Sequence, residues 1–203
     1  MSAALHIVGA GGHAKVIVAL AQALRLEIAG LYDDHPGAGP VLGRPLLGRL
    51  SDLPDSPGTL TVLAIGNNAV RRELAGRFSQ VRWATLIHPA AWVHGSAVLG
   101  AGTVVMAGAV IQPDARLGQH VIVNTGATVD HDCQLGDYVH VAPGCTLAGN
   151  VALGEGVFLG VGARVIPGCT IGAWSVVGAG GVVVRDLAAG VTAVGVPARV
   201  RHS

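Results

Sequence analysis

Residues 123–159 read VNTGATVDHDCQLGDYVHVAPGCTLAGNVALGEGVFL. Taken in steps of six, Val123, Val129, Leu135, Val141, Leu147, Leu153 and Leu159 are all aliphatic. Four residues after each stop stands a small or β-branched side chain: Ala127, Cys133, Val139, Cys145, Val151, Val157, Ala163. The same phase runs outward in both directions, from Ile87 to Val183. Six is a multiple of the strand period of two, so residues six apart face one side. Short strands joined by corners would wind into a coil, with both series pointing inward. Stacked coils bury a continuous aliphatic column that no single repeat can bury alone. The spacing predicts a parallel β-helix of about five to six coils. Glycine often follows the stop directly, as at Gly118, Gly136 and Gly154, and is expected to relieve the backbone at the corner.

The rest of the composition suits this reading. Hydrophobic residues make up 51% of the 203, aromatic residues only 3%, and 31 are Gly. A narrow solenoid interior takes small aliphatic side chains better than rings. The formal net charge is +1, which gives no electrostatic case for nucleic acid or a membrane surface. No apolar run reaches membrane-spanning length without Gly, Pro or charge, and no signal peptide is apparent, so a cytoplasmic protein is expected. The three cysteines, Cys133, Cys145 and Cys169, all fall in the small inward slot. They read as buried small hydrophobes.

Residues 1–86 lack the period of six. Leu5 to Ala10 reads as a strand, and Gly9-Ala10-Gly11-Gly12-His13 as a Gly-rich turn. A helix follows from Ala14 to Leu24, with Val16, Ile17, Leu20 and Leu24 on its apolar face. Strand, Gly-rich turn and helix form the first half of a nucleotide-binding βαβ unit, in which backbone N–H groups approach a phosphate. The next strand, Glu27 to Tyr32, ends in Asp33-Asp34, acids placed to meet a ribose or base. His35 to Pro57 reads as a loop with little regular structure. A strand from Leu60 ends before Gly66-Asn67-Asn68, a helix covers Ala69 to Phe78, and Val81 to Leu86 is a last short strand. About eighty-five residues is half of a full dinucleotide site, so a mononucleotide-type ligand fits better than NAD. After Val183 the phase is lost, and Arg185 to Ser203 reads as a tail covering the last coil. The expected boundary lies between residues 86 and 87.

Polar residues concentrate at Asn124, Asp130, His131, Asp132 and His140. Their phase points His131, Asp132 and His140 out of the coil. Gly149, eighteen residues past His131, has no side chain to block access. A histidine beside a carboxylate suits a general base, because the imidazole titrates near working pH and the carboxylate raises its basicity. A solvated surface histidine is the plainer alternative. No metal site is expected, since His131 and His140 fall on different sides of a coil.

Taken together, Gly9-Ala10-Gly11-Gly12-His13, Leu31-Tyr32-Asp33-Asp34, Ala64-Ile65-Gly66-Asn67-Asn68, Val123-Asn124-Thr125, Val129-Asp130-His131-Asp132-Cys133, Ala148-Gly149-Asn150 and Gly195-Val196-Pro197-Ala198 resemble one branch of the hexapeptide-repeat acyltransferases. These are bacterial sugar-nucleotide acetyltransferases of the bacillosamine type, with relatives that act on GDP-perosamine or O-acetylate sialic acid. The resemblance implies an α/β Rossmann-like half-domain followed by a left-handed parallel β-helix. It also implies a homotrimer and N-acetylation, from acetyl-CoA as cosubstrate, of a UDP-linked 4-amino-4,6-dideoxy sugar. Carried over by position, Gly11, Gly12, His13, Asp33, Asp34, Gly66 and Asn124 would hold the sugar nucleotide, and His131 with Asp132 would be catalytic. His140, Gly149, Val161 and Ala179 would line the acetyl-CoA path, with the Gly149 N–H a candidate for the oxyanion. Two positions depart from the family pattern: Asp132 stands where Glu is common, and Ala179 where Gly is expected. The alternatives are sugar O-acetylation, GDP-perosamine N-acetylation and a non-catalytic nucleotide-binding trimer.

Overall fold

The computed structural model describes residues 4–35 and 39–201. Residues 36–38, within the expected loop, and 202–203, at the end of the expected tail, lie outside it. The chain divides into two compact units, 1–86 and 87–203.

The first unit is a five-stranded parallel sheet with two helices. Its elements are β1 (Leu5–Val8), α1 (Gly12–Ala23), β2 (Ile28–Tyr32), β3 (Leu46–Gly48), β4 (Leu60–Leu63), α2 (Asn68–Arg77) and β5 (Arg82–Trp83). The strand order is β3-β2-β1-β4-β5. The order reverses between β1 and β4, so their carboxyl ends open the crevice where open α/β sheets take ligands. β1 and β4 lie at the centre of the sheet, with Leu5, Ile7 and Val62 at 0% exposure.

Three expectations for this unit need correction. The segment read as a loop with little regular structure contains β3, which pairs with β2 through Leu31 and Leu46, and a 3₁₀ turn at Leu50–Asp52. The buried face of α1 is Ala14, Ile17, Val18, Leu20 and Ala21, whereas Val16 is 40% exposed. The helix begins at Gly12, two residues earlier than expected. The expected strand at 81–86 is split, with Leu86–Ile87 opening the coil.

The second unit is a three-sided parallel coil. Face I carries Leu86–Ile87, Val104–Val105, Ile122–Val123, His140–Val141, Phe158–Leu159 and Val176–Val177. Face II runs from Trp92–Val93 through Thr128–Val129 to Val182–Val183, and face III from Val98–Leu99 to Thr170–Ile171. Each rung pairs in parallel with the rung eighteen residues away, as Val123 does with Val141 and Val129 with Leu147. From Val105 upward the aliphatic stops are all buried, and Ile87 at the open lower end is 37% exposed. The two polar inward residues are satisfied by the next coil. Thr103 Oγ1 donates to Gly118 O and accepts from Val121 N, and Ser175 Oγ donates to Ala188 O and accepts from Val191 N.

The corners are built differently from the sequence expectation. From Leu99 to Val177, left-handed φ falls three residues after each stop, not on the glycine directly after it. On the I/II corner that position is Gly at 108, 126, 144, 162 and 180. On the II/III corner it is Asp114, Asp132, Asn150 and Gly168, and on the III/I corner it includes His120, Tyr138 and Trp174. Asp and Asn tolerate this region because their short side chains bond locally. The glycines directly after the stops answer a different need, close approach of successive coils. A Cβ on Gly136 would sit 2.7 Å from Glu155 N.

The tail also differs. The coil continues past Val183 with a turn two residues short, so Ile171 bridges Leu187 and Val177 pairs with Ala193. Arg199–Val200 then returns antiparallel to Ala193–Val194. Leu187, Ala193 and Ala198 join the buried column.

Two substitutions separate the two uses of glycine. Gly136→Ala presses on backbone and is expected to cost about 3 kcal/mol, the upper end of overpacking. Gly126→Ala has open space but φ +65° and is expected to cost about 1 kcal/mol. Urea midpoints at fixed protein concentration read the difference. Equal midpoints would contradict the assignment.

Candidate active site

In the first unit, the predicted nucleotide residues gather around the β1 turn. Gly11 and Gly12 have nothing within 4 Å of an added Cβ, and neither has left-handed φ. Nothing in the fold demands glycine there, so the open space is available to a ligand. Gly11 caps α1 without a side-chain bond, leaving first-turn N–H groups to face an anion. Asp33 is more occupied than expected: Oδ2 accepts from Ala10 N at 2.7 Å and Oδ1 from His35 N at 2.9 Å. It ties the Gly-rich turn to the end of β2. Asp34 Oδ1 accepts from Leu50 N, and Arg77 lies 3.9 Å from Oδ2. A cleft of ≈310 Å³ opens here, walled by Leu50, Ile65 and Val70 beside Asp33, Asp34 and Glu73.

His13 is half-buried, and burial, then the Arg71 charge, pushes its pKa down to about 4. It is therefore a neutral imidazole at ordinary pH. Arg71, 1% exposed, donates from Nη1 to Ile65 O at 3.1 Å and to Gly66 O at 3.4 Å. Sequence reasoning placed Arg71 in the helix but assigned it no role. The available signal was its spacing with Asn68, Leu74 and Ala75, the other buried positions of α2.

In the coil, the II/III corner carries Asp130-His131-Asp132. His131 N donates to Asp130 Oδ1 at 2.7 Å, and Asp132, at φ 60°, places Oδ2 2.8 Å from His131 Nδ1. The Asp132 hydrogen bond is the main cause of a raised His131 pKa, with Asp130 and Asp132 charge adding to it. The imidazole lies over Gly149, where a Cβ would meet Cε1 and Nε2 at 2.5 Å. Gly149 thus seats the ring rather than leaving an open path above it. With Nδ1–H given to Asp132, Nε2 keeps its lone pair, and the side chain stays 54% exposed.

The other predicted acetyl-CoA residues lie elsewhere on the coil. Val161 and Ala179 are both exposed and stack at the I/II corner, where Gly180 N donates to Val161 O. His140 is on face I. Although its phase is outward, it is 8% exposed, edge-on to Phe158 and 3.2 Å from Asn124 Nδ2 through Nε2. The ring is covered rather than solvated, because long neighbours on adjacent rungs close over it. Asn124 thus joins the His140 side of the coil, while Gly149 joins His131. Among the described residues no group of three His, Cys, Asp or Glu could hold a metal ion, and no helix is long and apolar enough to cross a membrane.

Comparison with known proteins matches residues 4–78 to the PglD N-terminal domain and residues 114–149 to the bacterial transferase hexapeptide repeats. Perosamine N-acetyltransferase of Caulobacter crescentus, solved with CoA and GDP-perosamine, is 45% identical, with a TM-score of 0.94 over 98% of this chain and 97% of that one. This chain belongs to the hexapeptide-repeat sugar-nucleotide N-acetyltransferases. The acetyltransferase domain of Neisseria gonorrhoeae PglB, also solved with acetyl coenzyme A, is 41% identical at a TM-score of 0.94, covering 99% of this chain and all of that one. The Bacillus subtilis UDP-N-acetylbacillosamine N-acetyltransferase is 48% identical over 113 residues, which span half of either chain. The coil is accordingly the left-handed β-helix of this N-acetyltransferase family.

The His131–Asp132 bond has a direct readout. In the parent, His131 should titrate above its ordinary 6.5, and Asp132→Asn should bring the midpoint down. A raised folded pKa means that the contact stabilises the fold at low pH and that this is lost as pH rises through the folded value. An NMR titration of the His131 ring checks it, and an unchanged midpoint in the variant would contradict the contact.

Proposed function

We propose that this chain transfers acetyl from acetyl-CoA to the amino group of a nucleotide-linked 4-amino-4,6-dideoxy sugar, with His131 as general base. The observation that carries the reading is the exposed His131 imidazole, held by Asp132 at Nδ1 and seated on Gly149 with Nε2 available. His131 Nε2 takes a proton from the amine as its nitrogen attacks the thioester carbonyl carbon. The C–S bond breaks, and His131 returns the proton to the departing sulfur. The Gly149 N–H is the candidate donor to the carbonyl oxygen.

Direct attack, without an acyl-enzyme, is supported by the thiols. All three cysteines are buried, and burial pushes each pKa up, so none is a ready thiolate. For the nucleotide, the open Gly11 and Gly12 backbone at the start of α1 suits the diphosphate, with neutral His13, Gly66, Asp33 and Asp34 around it. The relatives carry either base: the Caulobacter enzyme is bound to a GDP-sugar, and the Bacillus enzyme is named for a UDP-sugar. The sequence resemblance favours UDP.

The division of the site supports the homotrimer that the sequence resemblance implies. His131 and Gly149 occupy one corner, and Val161 and Ala179 the corner one coil side away, up to about 20 Å of extended chain. A groove flanked by both sets is completed by a second copy whose I/II corner faces the first copy's His131. Static light scattering should give a trimer, and a monomer at assay concentration would contradict the shared groove.

His131→Ala removes the base without touching the aliphatic column. It should fold and assemble normally, and lose roughly a hundredfold to ten-thousandfold in kcat. KM should change far less, since the base acts in the transition state. A folded variant within about threefold of the parent, well under the base-removal range, would reduce His131 to a positioning role. Gly12→Val fills the open space at α1 and should weaken nucleotide-sugar binding while sparing acetyl-CoA. Calorimetry with each ligand checks that separation, and the opposite pattern would invert the two sites.

A further inference from the structure

The cleft at the carboxyl ends of β1 and β4 has apolar walls and an unevenly used polar edge. Val70, Glu73, Leu74 and Arg77 line it. Their spacing of three, four and seven residues puts all four on one stripe of α2. Leu50 forms another wall, and its N–H donates to Asp34 Oδ1 at 2.9 Å, which ties that wall to the end of β2. Gly9 and Ile65 complete the cleft. Leu50, Ile65, Val70 and Leu74 give a planar base apolar surface to lie against, in the crevice where the strand order reverses.

The three carboxylates of the cleft differ in what remains free. Asp33 gives both oxygens to backbone N–H groups, those of Ala10 and His35. Asp34 gives Oδ1 to Leu50 N and turns Oδ2 toward Arg77 at 3.9 Å. Among the described residues Glu73 has no hydrogen bond and no ion pair, so both its oxygens are open to a ligand. Arg77 stands one turn further along the same stripe, with its guanidinium over the Phe78 ring at 5.3 Å. Its 3.9 Å approach to Asp34 is beyond hydrogen-bond length, so its N–H donors are open too.

A carboxylate with both oxygens open accepts from two parallel donors. Guanine alone among the common bases presents that pair, N1–H beside the 2-amino group. Its O6 and N7 lie next to them and are the acceptors that a guanidinium takes in a fork. Uracil instead presents N3–H between two carbonyl oxygens. A carboxylate that meets its N3–H sets a second oxygen against O2 or O4, and the two repel. We propose that Glu73 and Arg77 read the base, and that this chain takes a guanosine diphosphate sugar in preference to a uridine diphosphate sugar. Glu73 accepts from N1–H and the 2-amino group, and Arg77 donates to O6 and N7. The sequence resemblance favours UDP, whereas the open groups of the cleft favour guanine. The proposal rests on the reading of this cleft as the nucleotide site and goes beyond it by assigning the base.

Calorimetry with GDP, UDP and IDP tests it, on the parent and on Glu73→Ala. The hypoxanthine of IDP lacks only the 2-amino group of guanine. Glu73 is exposed and alanine suits a helix, so the variant should fold as the parent does. Hydrogen bonds to a charged group should put the parent's affinity for GDP at least roughly tenfold above that for UDP, with IDP between. Glu73→Ala should weaken GDP by about tenfold and bring GDP and IDP within about twofold of each other. UDP should bind the variant as before or more tightly, because a repelling oxygen has gone. Arg77→Ala should weaken GDP and IDP alike, since both carry O6 and N7. Parent affinity for UDP equal to or above that for GDP overturns the proposal. A Glu73→Ala variant that keeps the GDP preference overturns it too, as does a uniform loss of all three ligands, the mark of a structural role. A parent that binds none of the three removes the nucleotide reading beneath it as well. If the parent prefers GDP and loses that preference with Glu73, yet acetylates no amino sugar, the base assignment stands and the catalytic reading fails.

Discussion

The candidate site in the coil depends on one equality: up to Val183 each turn takes eighteen residues, so a position stacks on its counterpart one turn away. Parallel pairing fixes the rise, and the inward aliphatic and small series fix the width. The same residue number modulo eighteen then defines a column. His131 rests on Gly149 for that reason, and Val161 lies beneath Ala179 for the same reason. A single inserted residue below the site would exchange the inward and outward phase of the rungs above it and take His131 off its column.

The corners meet a second demand, left-handed backbone, in three different ways. Glycine serves the I/II corner, rings alternate with glycine at III/I, where His120 and Tyr138 lie 5.5 Å apart and nearly parallel, and Asp or Asn serves II/III up to Gly168. That last choice gives the proposed catalytic corner its carboxylate. Asp132 adopts φ 60° and from there reaches Nδ1 at 2.8 Å. The shorter side chain, where the family commonly has Glu, is long enough because the turn itself aims it at the ring. Backbone geometry and polarisation of the proposed base come from one residue.

Much of this was legible in the sequence because period and phase are properties of the chain alone. The coil, its inward columns, the buried cysteines and the outward His131 all follow from counting in sixes. What was missed needed non-local information. The glycine after each stop was read as a corner device, since sequence does not show that the next coil's backbone passes 2.7 Å from where its Cβ would be. β3 is three residues long and owes its existence to pairing with β2, so no local pattern announces it. His140 has the outward phase, yet its cover comes from Phe158 on the next rung. The shortened last turn removes two residues, which breaks the count while the pairing goes on. In the first unit, the Gly-rich turn was legible, but Asp33's hold on Ala10 and the burial of Arg71 depend on elements brought together by folding.

A candidate nucleotide cleft on one unit and the His131 corner on the other fit an enzyme that attaches acetyl to a nucleotide-borne amine. The most direct measurement incubates the protein with acetyl-CoA and a panel of UDP- and GDP-linked 4-amino-4,6-dideoxy sugars and follows the products by mass spectrometry. The account predicts one acetyl added to at least one of them, as a base-stable amide at the 4-amino nitrogen, with stoichiometric release of CoA. No acetylated product from any member of the panel, in a protein that binds both CoA and a nucleotide sugar, would contradict it.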